Sequence, residues 1–88
     1  MKICYTTQFK KDYKRIKKQR KNIESLKHVI DLLAQGDTLP SEYKDHNLIG
    51  EWRNHRDCHI EPNWILIYRI LEDTLVLERT GSHSELFK

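Results

Sequence analysis

WILIYRIL, residues Trp64–Leu71, followed after Glu72–Asp73 by TLVLERT, residues Thr74–Thr80, decides the fold. The first run is apolar on both parities, the pattern of a central strand covered on both faces. The two residues between the runs predict a hairpin, with Thr74–Thr80 as the returning strand. Downstream, Gly81 breaks the strand, and Ser82–Phe87 forms a short tail of a single helical turn. Upstream, Glu51–Glu61 (EWRNHRDCHIE) reads as one bent or two short strands ending at Pro62–Asn63. Before it, Gly36–Gly50 is a turn-rich connection around Pro40, long enough in so small a chain to suggest a functional loop. At the N-terminus, Lys2–Thr6 (KICYT) alternates around Ile3 and Tyr5 as an opening strand. Thr6 or Thr7 then caps a helix with Phe9, Tyr13 and Ile16 on one stripe, ending near Arg20. Asn22 caps a second helix with Ile23, Leu26, Ile30 and Leu33 inside, and Gly36 terminates it. The expected architecture is α+β: a short N-terminal strand, a two-helix hairpin packed on an antiparallel β-sheet meander and a short C-terminal tail, in one domain over residues 1–88.

With 38% hydrophobic and 33% charged residues, the 88-residue chain has the composition of a folded protein and not of a disordered one. No apolar run approaches the roughly 20 residues of a membrane helix, and the N-terminus lacks an apolar stretch of signal-peptide length, so residence in the cytoplasm is expected. Cys4 and Cys58 are too few for a disulfide framework and read as small core fillers. Charge is segregated: ten basic against two acidic residues up to His28, and six against eleven from Val29 onward. The basic N-terminal part suits a polyanion or an acidic partner.

Four of the five histidines, His46, His55, His59 and His83, lie in the second half. Hairpin connectivity places Trp64 near Arg79 and Thr80, the tail returns His83 to that edge, and His59 lies just across the Pro62 turn. Arg79 shares strand parity with Leu75 and Leu77, and it serves either as a phosphate clamp or in an ion pair with Glu61 or Glu78. His55, Asp57, Cys58 and His59 lack the second ligand pair of a zinc site, and Cys58 points away from His59 on a strand. Three scattered glycines form no phosphate cradle, so neither metal nor cofactor is expected. Imidazoles that titrate near neutrality, a guanidinium and aromatic rings make an inventory for cutting RNA: a base for the 2′-hydroxyl, an acid for the departing 5′-oxygen and a cation for the charged phosphate.

The stretches YKDHNLIGEW, CHIEPNWILIYRI and ERTGSHSELF, in this order and spacing, resemble the YafQ-type toxins of the RelE superfamily, ribosome-dependent mRNA interferases of toxin–antitoxin pairs. The resemblance covers the whole chain and is closest from Tyr43 to Phe87. It implies a RelE-like fold and a metal-independent endoribonuclease that blocks translation by 2′-hydroxyl transesterification. By position, His46, His59, Arg79 and His83 match the family's catalytic residues, with His83 as general acid or base. Asn63, Trp64 and Phe87 match its substrate-contacting positions. Lys10, Lys11, Lys14, Lys17, Lys18 and Lys21 match the surface that holds ribosomal RNA. The implied partners are a cognate antitoxin and the ribosome with its mRNA, with operator DNA reached only through the antitoxin and no membrane. Asn63 stands where the family has aspartate; an amide takes up no proton, so His59 or His46 is left to act as base. His55 matches no catalytic position. The alternatives are a non-catalytic module of RelE/ParE fold that inhibits gyrase, or a spent toxin retained as an antitoxin-bound co-repressor.

Overall fold

The structure, a computed structural model, describes residues 1–87. β1 (Lys2–Tyr5) leads into α1 (Thr7–Lys18) and α2 (Ile23–Ala34). A connection with two short 3-10 turns and the two-residue β2 (His46–Asn47) follows, then β3 (Arg56–Glu61), β4 (Trp64–Leu71), β5 (Thr74–Gly81) and the one-turn α3 (His83–Leu86). Both helix starts use the side chains the sequence offers. Thr6 accepts from the Phe9 amide, and Asn22 accepts from the amides of Glu24 and Ser25. Gly36, at φ +79°, closes α2 in the left-handed conformation, with its amide donating to Leu33 and that of Asp37 to Leu32.

The sheet order is β1-β5-β4-β3-β2. β2 through β5 form the expected antiparallel meander, but β1 joins β5 in parallel, so the sheet is mixed. The helical hairpin carries the chain back before the meander begins, which allows β1 to run alongside the last strand. α1 and α2 cover one face, where Phe9, Ile16, Leu26, Val29, Leu33, Leu66, Tyr68, Leu75 and Leu77 form the main core. The opposite face carries a smaller cluster, Ile65, Ile67 and Leu86, with Leu48, Trp52 and Phe87 packed against it. The doubly apolar reading of β4 is thus explained, since its alternate residues feed two different cores.

Two irregularities reposition side chains. Opposite Ile67 and Tyr68, β5 pairs through Arg79 and Leu77, leaving Glu78 as an inserted residue. This bulge reverses the parity of the strand end. Arg79 therefore does not continue the Leu75–Leu77 face, as period-two counting implies, but sits across from Ile67 on the other side of the sheet. The second shift, between His59 and Glu61, turns the end of β3 toward Pro62.

Beyond the end of β1, the outer edge of β5 has no strand partner and α1 supplies one from its side chains. Thr6 Oγ1 donates to the Glu78 carbonyl, Arg15 Nη2 donates to the Thr80 carbonyl at 2.7 Å, and the Thr80 amide donates to Asp12 Oδ2 at 3.1 Å. Asp12 is fully buried on a helix otherwise rich in exposed lysines. A Cβ on Gly81 would stand 2.5 Å from Arg15 Nη2 and 2.9 Å from Glu85 Oε1, so any other residue there would push these side-chain ends aside.

Candidate active site

The sheet face opposite the helical hairpin gathers the ionisable groups. Cross-strand register aligns His46 with Asp57, Asp57 with Ile67, and Ile67 with Arg79 in one row, while His59 pairs with Ile65 and Gly81 in the next. α3 lies across these rows through Leu86 and brings in His83 and Phe87. The His46 and His59 rings are 6.5 Å apart, and those of His83 and Phe87 are 5.0 Å apart.

The imidazoles are oriented by backbone carbonyls. His46 Nδ1 lies 2.7 Å from the Lys44 carbonyl, and His59 Nδ1 lies 3.2 Å from that of Pro62. A carbonyl only accepts, so each Nδ1 carries the hydrogen and each neutral ring keeps its lone pair on Nε2. Lys44 reaches this geometry with φ +50°, a left-handed conformation uncommon outside glycine and asparagine. The neighbouring Asp45 fixes the loop: Tyr68 Oη donates to its Oδ1 at 2.6 Å and Arg56 Nε does so at 3.2 Å. Burial, reinforced by this bond to a carboxylate, pushes the Tyr68 phenol above its ordinary range.

Asp57, weighed from the sequence only as a metal ligand, stands beside these imidazoles. Its carboxylate is buried, with Oδ1 3.1 Å from His46 Nδ1. Burial raises its pKa above the usual carboxylate value, against the opposing fields of His46, His59 and His83 and together with that of Asp45. One buried carboxylate thus lies within the field of three imidazoles. Its sequence signal was parity, because Asp57 and His59 share a face of β3 and Cys58 is buried on the other.

Asn63 accepts the His83 amide on Oδ1 at 3.2 Å, so it fastens the start of α3. Ser82 and Glu85 complete a capping box on the same turn, and the bond from the Ser82 amide is the chief influence holding the Glu85 carboxyl below its ordinary value.

Arg79 takes neither of the ion-pair partners considered for it. Its Nε donates to Asp12 Oδ2 at 2.7 Å and its Nη2 to Oδ1 at 3.2 Å, while Glu78 pairs with Arg69 and His55. Burial opposes ionisation of Asp12 most, but the bonds from Arg79, the Thr80 amide and Arg15 outweigh it and hold the carboxyl below 3.8. The Arg79 side chain remains 22% exposed and lines an open cavity of about 500 Å³ with Glu51, Trp52, His55, Glu85 and Leu86.

Two expectations need correction. Trp64 is fully buried on the helix side, and its indole donates to Thr80 Oγ1 at 2.9 Å, so it is closed to substrate. Lys10, Lys11, Lys14, Lys17 and Lys18 are exposed on α1, but Lys21 is half-buried past its end, with Nζ 5.8 Å from the Trp64 ring centre. His46 therefore stands against Asp57 with His59 beside it, Asn63 ties the turn of His83 to the start of β4, Arg79 stands on the same face farther along the row, and Trp64 lies outside. His55, set aside from the sequence, lines the Arg79 cavity.

A two-helix hairpin on one face of a five-stranded sheet, with histidines toward the opposite face, defines a small α+β protein with a histidine-rich surface site. The family model for the bacterial toxin of the type II toxin–antitoxin system, YafQ, matches residues 1–88. The mRNA interferase toxin YafQ of Escherichia coli K12 is 45% identical over 86 residues, covering 97% of this chain and 94% of that protein. The crystal structure of YafQ from E. coli BL21(DE3) superposes with a TM-score of 0.94 at 44% identity, covering 98% and 97% of the two chains. YafQ in the E. coli DinJ–YafQ complex gives 0.91 at 45%, covering 98% and 97%. The chain belongs to the YafQ family of toxins of bacterial type II toxin–antitoxin systems.

Proposed function

We propose that this toxin is an endoribonuclease that cuts mRNA on the ribosome by transesterification. His46 or His59, with Nε2 free to accept, removes the 2′-hydroxyl proton, and the alkoxide attacks the adjacent phosphorus. His83, protonated, gives its proton to the departing 5′-oxygen, leaving a 2′,3′-cyclic phosphate on one fragment and a 5′-hydroxyl on the other. Arg79 offers the guanidinium edge not taken by Asp12 to the charged phosphate. Asp57 sets its carboxylate 3.1 Å from His46 Nδ1, Asn63 holds the turn that carries His83, and Phe87 presents its ring beside the acid. The exposed α1 lysines supply contacts to ribosomal RNA that weaken steeply with salt.

The grouping of His46 against the buried Asp57, His59 with its ring 6.5 Å from that of His46, and the turn of His83 fastened to Asn63 next to the Pro62 that orients His59 carries this reading, because a pure binding module has no need of three imidazoles and a buried carboxylate in one place. The toxin acts in the cytoplasm and is restrained by a cognate acidic antitoxin. A groove of about 460 Å³ on the helix side suits an amphipathic acidic segment, with Phe9, Tyr13, Leu26 and Ile30 for its apolar side and Lys10, Lys14 and Lys27 for its charge. The test is His83→Ala. Primer extension on a reporter message should show cleavage falling by about a hundredfold or more, with the folded state intact. Undiminished cleavage and toxicity would overturn the assignment.

A further inference from the structure

The cavity beside Arg79 has no role in the chemistry above. Arg79, which lines it, pairs with Ile67 in the same cross-strand row as Asp57 and His46. Two of its lining residues, Trp52 and Leu86, belong to the small core in which Ile65, Ile67 and Leu86 are buried and Leu48, Trp52 and Phe87 pack against them. Among the residues lining it, Trp52 presents an aromatic surface, half-exposed and braced edge-on by His55 with ring centres 5.2 Å apart at 84°. His55 is itself held, through Nδ1 near the Arg53 carbonyl at 3.2 Å and Nε2 at Glu78 Oε2 at 3.2 Å. Arg79 Nε and Nη2 are committed to Asp12, and Nη1 has no partner among the described residues. Glu85 answers Arg15 and the Ser82 amide, while Glu51 stands exposed on the rim.

A braced ring next to a guanidinium is the pairing by which an unstacked base and its phosphate are held. The free carboxylate of Glu51 on the rim disfavours a second phosphate and favours an exocyclic amino group, which adenine, cytosine and guanine carry and uracil, with carbonyl oxygens in those places, does not. We propose that this cavity is a base subsite, in which Trp52 stacks the nucleotide adjoining the phosphate held by Arg79 and the acidic rim selects amino-bearing bases over uracil. The inference rests on the RNA-cleaving reading and gives it a source of codon preference. Trp52 also takes the stacking role that Trp64, being buried, does not have.

The test is cleavage of ribosome-bound messages randomised over one codon, comparing wild type with Trp52→Leu and Trp52→Phe, each checked for folding by circular dichroism. Trp52→Leu should slow cleavage about five- to a hundredfold at codons with an amino-bearing base at one position. Discrimination against uracil should be lost at that position and kept at the others. Trp52→Phe should fall between, and it decides the matter if the leucine variant does not fold. An unchanged codon profile, or an equal loss at every codon, would overturn the subsite. If the wild type leaves messages intact, the nuclease reading fails, and the subsite is judged by tryptophan fluorescence. Trp52 and the buried Trp64 are the two tryptophans, so quenching by 2′-O-methyl adenine trinucleotides, absent with the uracil trinucleotide, reports Trp52. No difference between the two would then reject it.

Discussion

Replacing Asp12 by alanine strikes the joint between α1 and the open edge of β5. Its buried carboxylate accepts from Arg79 at 2.7 Å and 3.2 Å, from Arg15 at 2.8 Å and from the Thr80 amide at 3.1 Å. Removing one partner of a buried ion pair costs about 3–5 kcal/mol. Both arginines keep some solvent access, at 22% and 32% exposure of their side chains, and they recover hydration when released. The Thr80 amide is buried and recovers none, which costs about 1–3 kcal/mol by itself. The sum is taken at the low end, about 3 kcal/mol, which for a domain of this size lowers Tm by roughly 12–24 °C. The pH dependence follows from the depressed carboxyl. Its contribution is present in full above the unfolded value of 3.8 and is lost as pH falls through the lower folded value. Urea unfolding followed by tryptophan emission should therefore show a large deficit for Asp12→Ala at pH 7 that shrinks as the pH is lowered below 3.8. A deficit under about 1 kcal/mol at pH 7, or one that does not change with pH, would refute the reasoning.

Asp57→Asn removes the buried carboxylate that stands 3.1 Å from His46 Nδ1, so single-turnover cleavage of ribosome-bound message should slow, with kcat falling more than KM rises. Because the Asp57 carboxyl is raised by burial, its ionisation costs stability as pH rises above 3.8, and the variant should be no less stable than wild type at pH 7. Tyr68→Phe deletes the 2.6 Å bond to Asp45 that fixes the loop carrying His46. It should cost about 1.5–3 kcal/mol, as a hydrogen bond to a charged group does, and should lower kcat more than it raises KM.

The helical hairpin was legible because each helix keeps one apolar stripe and Thr6, Asn22 and Gly36 mark the ends by their own chemistry, and the strands were legible as short apolar runs set off by turn residues. Arg79 was misplaced because an inserted residue leaves no trace in an alternating pattern; Glu78 looks like any other outward residue until pairing shows it as a bulge. Asp12 was hidden by its surroundings, since an acid among lysines on a helix reads as solvent-facing, and only the unpaired edge of β5 gives it a reason to be buried. Trp64 heads a strand that is apolar on both parities, so periodicity could not say which face it takes. Asp57 shares the face of β3 with His59 by parity, but its burial beside His46 depends on β2 pairing with β3, which a two-residue strand in a loop does not announce. Trp52 has no periodic neighbours and lies in a loop, and its place beside Arg79 is a matter of tertiary packing alone.

The central claim is that imidazoles on this face carry out attack by the 2′-hydroxyl. The most direct test is the end chemistry of ribosome-bound message cut by the purified toxin, read by mass spectrometry, with a matched message bearing a single 2′-deoxynucleotide at the cleavage position. The mechanism predicts a 2′,3′-cyclic phosphate and a 5′-hydroxyl, with no cut at the deoxy position. A 3′-hydroxyl with a 5′-phosphate, or undiminished cutting at the deoxynucleotide, would contradict it.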